Sequence, residues 1–128
     1  MKIAILSSLA APDAEGGTER VARMQAAGLA ALGHQVRLLV GRPADRAGQP
    51  DWQTTFDGVE QTAFAASPEE AFQPDGRRPR LAQRMVRALR NWKPDAILVQ
   101  NTWNLDHQIT SRLQKIAPVA LYLHDFAG

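Results

Sequence analysis

The chain contains no cysteine, few aromatic residues and no long hydrophobic run. Without cysteine, disulfide scaffolds, thiolate zinc sites and cysteine nucleophiles are excluded. No stretch approaches the roughly 18 apolar residues that a membrane-spanning helix needs. The N-terminal sequence MKIAILSS predicts a first strand rather than a signal peptide, so we expect a cytoplasmic protein. A length of 128 residues, with 45% hydrophobic and 22% charged residues, is typical of one globular domain.

Positive charge is concentrated in one segment. Seven of the 15 lysines and arginines lie between Asp75 and Asp95 without an acidic residue among them, which leaves eight cations against 13 anions elsewhere. This distribution indicates a local anionic partner and not nucleic acid, because no aromatic residues alternate with the arginines. An anionic membrane surface is one interpretation, and a solvated helix face is the other. The cations that would meet the anionic surface are Arg77, Arg80, Arg84 and Arg87.

Apolar runs and turn signals alternate along the chain in the order of a doubly wound, mostly parallel α/β sheet. The pattern predicts strands at residues 2–7, 35–40, 58–64, 96–99 and 118–123. It predicts helices after Thr18 (as N-cap) up to Gly33, over residues 80–92, and over residues 105–116 after Asn104. Residues 41–57 and 67–79 are predicted to be irregular, the latter with one helical turn. Ligands of such sheets bind beyond the carboxyl ends of the strands.

Glycine and polar residues follow two of these strands at that edge. Gly16 and Gly17 precede the first helix, where close backbone approach and free N–H groups favour a diphosphate. A simple turn into the helix is the alternative. Asn101 and Trp103 follow the fourth strand and offer hydrogen bonds and a stacking face for a sugar. Here the alternative is a helix-capping loop with the tryptophan as a hydrophobic staple.

His124 and Asp125 follow the last strand at the same edge. A histidine in this position can act as a base or a hydrogen-bond donor, and an adjacent polar group can hold a sugar hydroxyl. His34 and His107 are interpreted as structural or exposed. The three histidines are scattered and lack clustered carboxylates, so no metal site is predicted.

Three segments together resemble the N-terminal half of family 4 glycosyltransferases, and the resemblance covers most of the chain outside residues 41–80. The segments are the first 40 residues, KPDAILVQNTW and APVALYLHDF. The motifs that carry the resemblance are Gly-Gly-Thr-Glu-Arg, Gly-His before the second strand, and Leu-His-Asp-Phe at the end of the last. They imply the acceptor-side, Rossmann-like domain of a GT-B enzyme. Such an enzyme transfers a sugar from a nucleotide-sugar to a glycan or lipid-linked acceptor, with retention and without a required metal or other cofactor.

The resemblance also implies roles for single residues. Gly16 and Gly17 match the loop that approaches the donor diphosphate, and His124 matches the histidine near the reacting sugar. The expected acceptor contacts are Asn101, Trp103 and Asp125. If the cationic segment meets lipid headgroups, the chain is expected in the cytoplasm and peripherally at the inner face of the membrane.

Two departures from the family pattern shape the functional prediction. Leu98, Val99, Gln100 and Asn101 stand where family members often carry His-x-His-Asn, so the acceptor chemistry is expected to differ. The second, nucleotide-binding domain with its Glu-x7-Glu motif is not found in the 128 residues. We therefore expect the chain to be inactive alone and to need that domain in cis or in trans. The alternatives are a non-catalytic Rossmann-like module for anions or nucleotides and a membrane-surface docking module.

Overall fold

The computed structural model describes residues 1–7, 17–42, 46–71, 78–100 and 108–121. Its elements, in chain order, are β1 (Lys2–Ser7), α1 (Gly17–Ala31), β2 (Gln35–Gly41), β3 (Trp52–Phe56), β4 (Val59–Phe64), α2 (Pro68–Ala71), α3 (Pro79–Trp92), β5 (Ala96–Val99), α4 (Ile109–Gln114) and β6 (Val119–Leu121). The strands form one sheet in the order β3-β4-β2-β1-β5-β6. All neighbours are parallel except β3 and β4. The predicted α/β class with a mostly parallel sheet is confirmed.

The central strand β1 is buried on both faces, and its alternate side chains enter two separate cores. Ala4 and Leu6 pack with α3 and α4 on one face. Ile5 packs with α1 on the other face. Because successive side chains of a strand point to opposite faces, an all-apolar run needs helices on both sides. This requirement gives the domain its three layers.

The long loop predicted over residues 41–57 is wrong in its second half, because β3 lies there. β3 pairs antiparallel with β4 at the edge of the sheet, and most of its side chains are exposed or half-buried. Asp57 and Gly58 connect the two strands and both have positive φ angles, 47° and 81°. A two-residue Asp-Gly connection with this geometry is the preferred hairpin turn. The dipeptide was the sequence signal for this missed strand.

Several predicted boundaries shift in the structure. α1 begins at Gly17, so Thr18 lies inside the helix and the prediction that it is the N-cap is wrong. Gly33 has a φ of 97° and follows the end of α1, which confirms the predicted stop. α4 begins at Ile109, later than predicted, while the predicted cap Asn104 lies outside the described residues. β6 is described only as far as Leu121.

The C-terminal end of α3 is attached to the beginning of β1. Lys93 adopts a left-handed conformation, and its N–H donates to the carbonyl of Leu89 at 2.9 Å, which ends the helix. The Lys2 ammonium donates to the carbonyl of Trp92 at 3.4 Å, and the Lys2 N–H donates to the Asp95 carboxylate at 2.8 Å. The amino edge of the sheet is therefore the edge at which α3 ends.

The packing of α3 against the sheet can be tested by making the same substitution at a buried and at an exposed methionine. Met85 of α3 is 0% exposed in the core, whereas Met24 of α1 is 73% exposed. We expect Met85→Ala to lower the free energy of unfolding by about 2–5 kcal/mol, through lost burial and the cavity it leaves. Met24→Ala should change it by less than about 0.5 kcal/mol. Urea unfolding of both variants measures the difference, and equal effects would contradict the packing of α3.

Candidate functional site

The order of connections places a crevice between β1 and β5. The chain passes from β1 through α1 to β2 on one side, and later returns from β4 through α3 to β5 on the other side of β1. The connections therefore reverse direction between β1 and β5. In open α/β sheets, ligands bind beyond the carboxyl ends of the strands at such a reversal. This is the candidate site.

Three polar side chains form the described floor of this crevice. Ser7 ends β1 and is 1% exposed, and Gln100 follows β5 and is 3% exposed. The Gln100 backbone N–H donates to the carbonyl of Leu6 at 2.8 Å, which continues the pairing of β5 with β1. The Gln100 side-chain amide donates to the side-chain carbonyl of Gln25 in α1. The amide pair thus fixes α1 against the end of β5.

Ser7, Gln25 and Gln100 were not predicted from the sequence as site residues. Gln100 directly follows the apolar run AILV, and a polar residue at the end of a buried strand was the available signal. No comparable signal identifies Gln25, since a glutamine in a helix is ordinarily a surface residue. Its role depends on contact with a residue 75 positions away.

Most of the predicted site residues lie outside the described residues. These are Gly16, Asn101, Trp103, His124 and Asp125. Gly17 is described and is the first residue of α1. Gln100 immediately precedes Asn101, and Leu121 precedes His124 by three positions. Because β5 and β6 are parallel neighbours, Gln100 and Leu121 lie at the same edge of the sheet.

A second polar cluster lies at the carboxyl ends of β2 and β4, around Glu70 of α2. Glu70 is 6% exposed, and its carboxylate accepts hydrogen bonds from the backbone N–H groups of Arg80 and Leu81. These groups belong to the first turn of α3, which has no intrahelical partners for them. A residue from a separate short helix therefore caps α3.

Arg78 lies next to this cap and is also 6% exposed. Its guanidinium donates to the carbonyl of Arg42, at the end of β2, at 3.0 Å. Burial lowers the pKa of Arg78 below its usual value, and the negative charge of Glu70 acts in the opposite direction. The buried arginine connects the start of α3 to the end of β2.

Arg84 has a structural role that the predicted cationic stripe did not include. Its guanidinium forms an ion pair with Asp51, donates to the carbonyl of Ala65 at 2.8 Å, and lies 5.4 Å from the ring centre of Phe64. Asp51 also accepts a hydrogen bond from the Ala65 N–H. Arg84 therefore holds the segment after β4 against α3.

The other arginines of the predicted stripe do not share one surface in the structure. Arg80 is exposed in the first turn of α3, and Arg77 lies outside the described residues. Arg87 lines a different surface, shared with cations of α4. The predicted stripe is therefore not one uniform row of available charges.

Within the described residues, no group of three or more histidine, aspartate or glutamate side chains is arranged to hold a metal ion. In the same part of the chain, none of the helices has the length and hydrophobicity of a membrane span.

The topology defines a Rossmann-like α/β domain, and the polar residues at the ends of β1 and β5 mark a candidate site at the carboxyl edge of its sheet. The model of the glycosyl transferase 4-like domain matches residues 16–128. The chain therefore belongs to the glycosyl transferase 4-like family, which agrees with the resemblance seen in its motifs. A search of curated proteins gave no match.

Replacing Glu70 tests the cap of α3. In Glu70→Gln the carboxamide keeps one accepting oxygen but removes the negative charge that faces the buried Arg78. We expect the free energy of unfolding to fall by about 2 kcal/mol or more.

The neighbouring Glu69 provides a control, because it is exposed. Hydrogen bonds from its own backbone N–H and from the Ser67 hydroxyl lower the pKa of Glu69, so Glu69→Gln should cause a detectable but much smaller loss. Thermal or urea unfolding of both variants gives the comparison. A loss in Glu69→Gln as large as that in Glu70→Gln would refute the specific role of Glu70.

Proposed function

We propose that this chain is the acceptor-binding domain of a retaining glycosyltransferase that uses a nucleotide-sugar donor. The observation that carries the proposal is the family match over residues 16–128 on a sheet with a polar crevice between β1 and β5. The proposed acceptor is a glycan or a lipid-linked glycan. The proposed location is the cytoplasm, with access to the inner face of a membrane.

The proposed donor contact is the loop that enters α1. α1 begins at Gly17, and the N–H groups of its first turn have no intrahelical acceptor. Such groups, with the positive end of the helix dipole, favour a diphosphate. Glycine at positions 16 and 17 adds no side chain between the backbone and the phosphates. We assign no metal to this role, because the N–H groups already supply stabilisation of the leaving diphosphate.

The proposed acceptor side is formed by residues that follow β5 and β6. Asn101, Trp103 and Asp125 would contact the acceptor, and His124 would act near the reacting sugar as a base or hydrogen-bond donor. The hydrogen bond between Gln100 and Gln25 fixes the end of β5, the strand that Asn101 and Trp103 follow. Gln25 and Gln100 are positioning residues in this proposal.

One observation favours the second candidate, a non-catalytic module for anions or nucleotides. Gln100 stands where many family members carry a histidine, and its side chain is buried in a hydrogen bond with Gln25. A neutral amide cannot exchange a proton near pH 7 as histidine does. The domain would then keep the fold and the diphosphate site without the chemistry.

Transfer of a sugar requires the anomeric carbon to be held against the acceptor while charge develops on the leaving diphosphate. The proposed site of this chain is one wall of that cleft. We therefore propose that a nucleotide-binding domain, in the same polypeptide or supplied separately, forms the other wall. The chain without it is expected to transfer no sugar.

Nucleotide binding tests the proposed donor contact. We expect a nucleoside diphosphate to shift the amide NMR signals at the start of α1, and Gly17→Val to weaken this binding about tenfold through loss of close approach. Gly28→Val is the matched control, because a Cβ added at Gly28, in the same helix, would meet no atom within 4 Å beyond its chain neighbours and the helix's own backbone. Absence of shifts in the unmodified chain, or equal weakening in both variants, would contradict the donor contact.

Reconstitution tests the catalytic proposal. The chain is combined with a nucleotide-binding domain of the family, and product is measured with a panel of nucleotide-sugars and glycan or lipid acceptors. We expect no product from the chain alone, turnover from the combination, and about a hundredfold lower turnover in His124→Ala.

His34→Ala is the control for this substitution. His34 lies near Met1 at the amino edge, with its ring nitrogen 3.3 Å from the N-terminal ammonium, so turnover should be unchanged. Turnover by the chain alone would show that the active site is placed wrongly. Nucleotide binding without turnover in any combination would favour the non-catalytic module.

A further inference from the structure

The strand β3 forms one edge of the sheet, and within the described residues no strand pairs with its outer side. It stands at the end of the strand order, next to β4. Its five residues, WQTTF, include no charged residue and no proline, and its register with β4 runs without a bulge. Charges, prolines and bulges are the features by which exposed edge strands avoid pairing with other chains. β3 therefore has the properties of a strand that can pair once more.

The hairpin geometry decides which backbone groups of β3 face outward. The two-residue turn after β3 closes on the pair of Phe56 and Val59, and such a closing pair is joined by hydrogen bonds. Hydrogen-bonded and non-hydrogen-bonded pairs alternate along an antiparallel ladder. The first, third and fifth residues of β3 therefore direct their backbone groups toward β4. Gln53 and Thr55, which are both exposed, direct one N–H and one carbonyl each toward the free edge.

A second copy of β3, running antiparallel, satisfies all of these outward groups in a single register. When Gln53 of each copy stands opposite Thr55 of the other, each of these two pairs exchanges two N–H···O bonds. The two-fold axis then passes beside Thr54, which faces Thr54 of the second copy. Registers centred on Gln53 or on Thr55 instead shift an outward residue past the end of β3. A two-fold interface uses the same surface on both copies, so one strand supplies both sides.

The side chains on one face of β3 complement one another in the same register. Trp52 and Phe56 lie on the face covered by α1, because their partners in β4, Ala63 and Val59, belong to the core on that face. With Thr54 at the axis, Trp52 of each copy stands opposite Phe56 of the other. Aromatic pairs across neighbouring strands are stabilising. Pairing would also cover Trp52, which is 38% exposed.

The charges around β3 permit pairing with itself. The strand is uncharged, so its residues bring no like charges together. Beyond its ends, Asp57 of each copy comes next to Asp51 of the other, and the charge of Asp51 is already compensated by its ion pair with Arg84. We propose that β3 pairs with β3 of a second copy around a two-fold axis at Thr54, which joins two domains through one continuous sheet.

The position of β3 keeps this pairing away from the candidate site. β4 and β2 separate β3 from β1 in the sheet. Pairing at the outer side of β3 therefore leaves the crevice between β1 and β5 open. The proposal does not depend on the proposed catalytic function, because it concerns another part of the sheet.

Sedimentation equilibrium tests the dimer. A five-residue edge buries less surface than a permanent dimer interface, so we expect reversible dimerisation between about 10 µM and 1 mM protein. Thr54→Lys places two ammonium groups at the two-fold axis and should weaken dimerisation about tenfold or more. Thr110→Lys is the matched control, because Thr110 is half-buried as Thr54 is but lies in α4. Its dimerisation should equal that of the unmodified chain.

A proline variant separates loss of pairing from loss of folding. Gln53→Pro removes an N–H that faces outward, which an edge strand tolerates. We expect a far-ultraviolet circular dichroism spectrum like that of the unmodified chain together with weaker dimerisation. If Thr54→Lys does not fold, this variant decides in its place.

Single cysteines test the register. The chain contains no cysteine, so Thr54→Cys has one thiol in each copy. In the proposed register the two Cα atoms at position 54 are about 4.5 Å apart, within the range of a disulfide. We expect oxidised glutathione to produce a covalent dimer of Thr54→Cys about tenfold faster than of Gln53→Cys, because position 53 faces position 55 of the other copy.

Three results would overturn the proposal. The first is a monomeric unmodified chain at about 1 mM. The second is an equal loss of dimer in Thr54→Lys and Thr110→Lys, which would show an effect of net charge alone. The third is cross-linking of Gln53→Cys as fast as that of Thr54→Cys, which would place the contact in another register or on another surface.

Discussion

Burial of β1 on both faces is the constraint on which the rest of this domain depends. A strand with no solvent-facing side needs partners at both edges for its backbone and helices over both faces for its side chains. β2 and β5 satisfy the edges, and α1, α3 and α4 cover the faces. Parallel pairing then requires connections that begin at the carboxyl edge and return at the amino edge. The crevice between β1 and β5 is a consequence of this arrangement.

Four of the five buried polar or charged side chains in the described residues lie at the carboxyl edge, and the fifth, Gln61, lies within β4. Glu70 and Arg78 are nearly inaccessible, and burial of a charge is costly unless hydrogen bonds and an opposite charge compensate. Here the carboxylate caps α3 and the guanidinium binds the end of β2. The polar groups thus fix where α3 begins relative to the strands, at the same edge of the sheet as the central crevice. The glycosyl transferase 4-like family membership gives this crevice its functional interpretation.

The errors of sequence-based prediction share one physical cause: each feature depends on contact with another element of the structure and not on a local apolar pattern. β3 was missed because its side chains are mostly polar and exposed, so its conformation depends on pairing with β4 and not on a buried face. The predicted cationic stripe was divided because Arg84 meets Asp51, a residue 33 positions earlier. In contrast, β1, the body of α1 and β5 were predicted closely, since each has its own apolar periodicity.

The sequence by itself determined the α/β class, most of the elements and the motifs that resemble family 4 glycosyltransferases, because hydrophobic periodicity, turn residues and short motifs are local properties of the chain. The tertiary structure decided which polar residues meet. Gln25 and Gln100 come together across the crevice, and the cations of α3 and α4 form a groove. Such contacts join residues far apart in the chain, and their energies depend on burial and distance, which exist only once the sheet and its helices are packed.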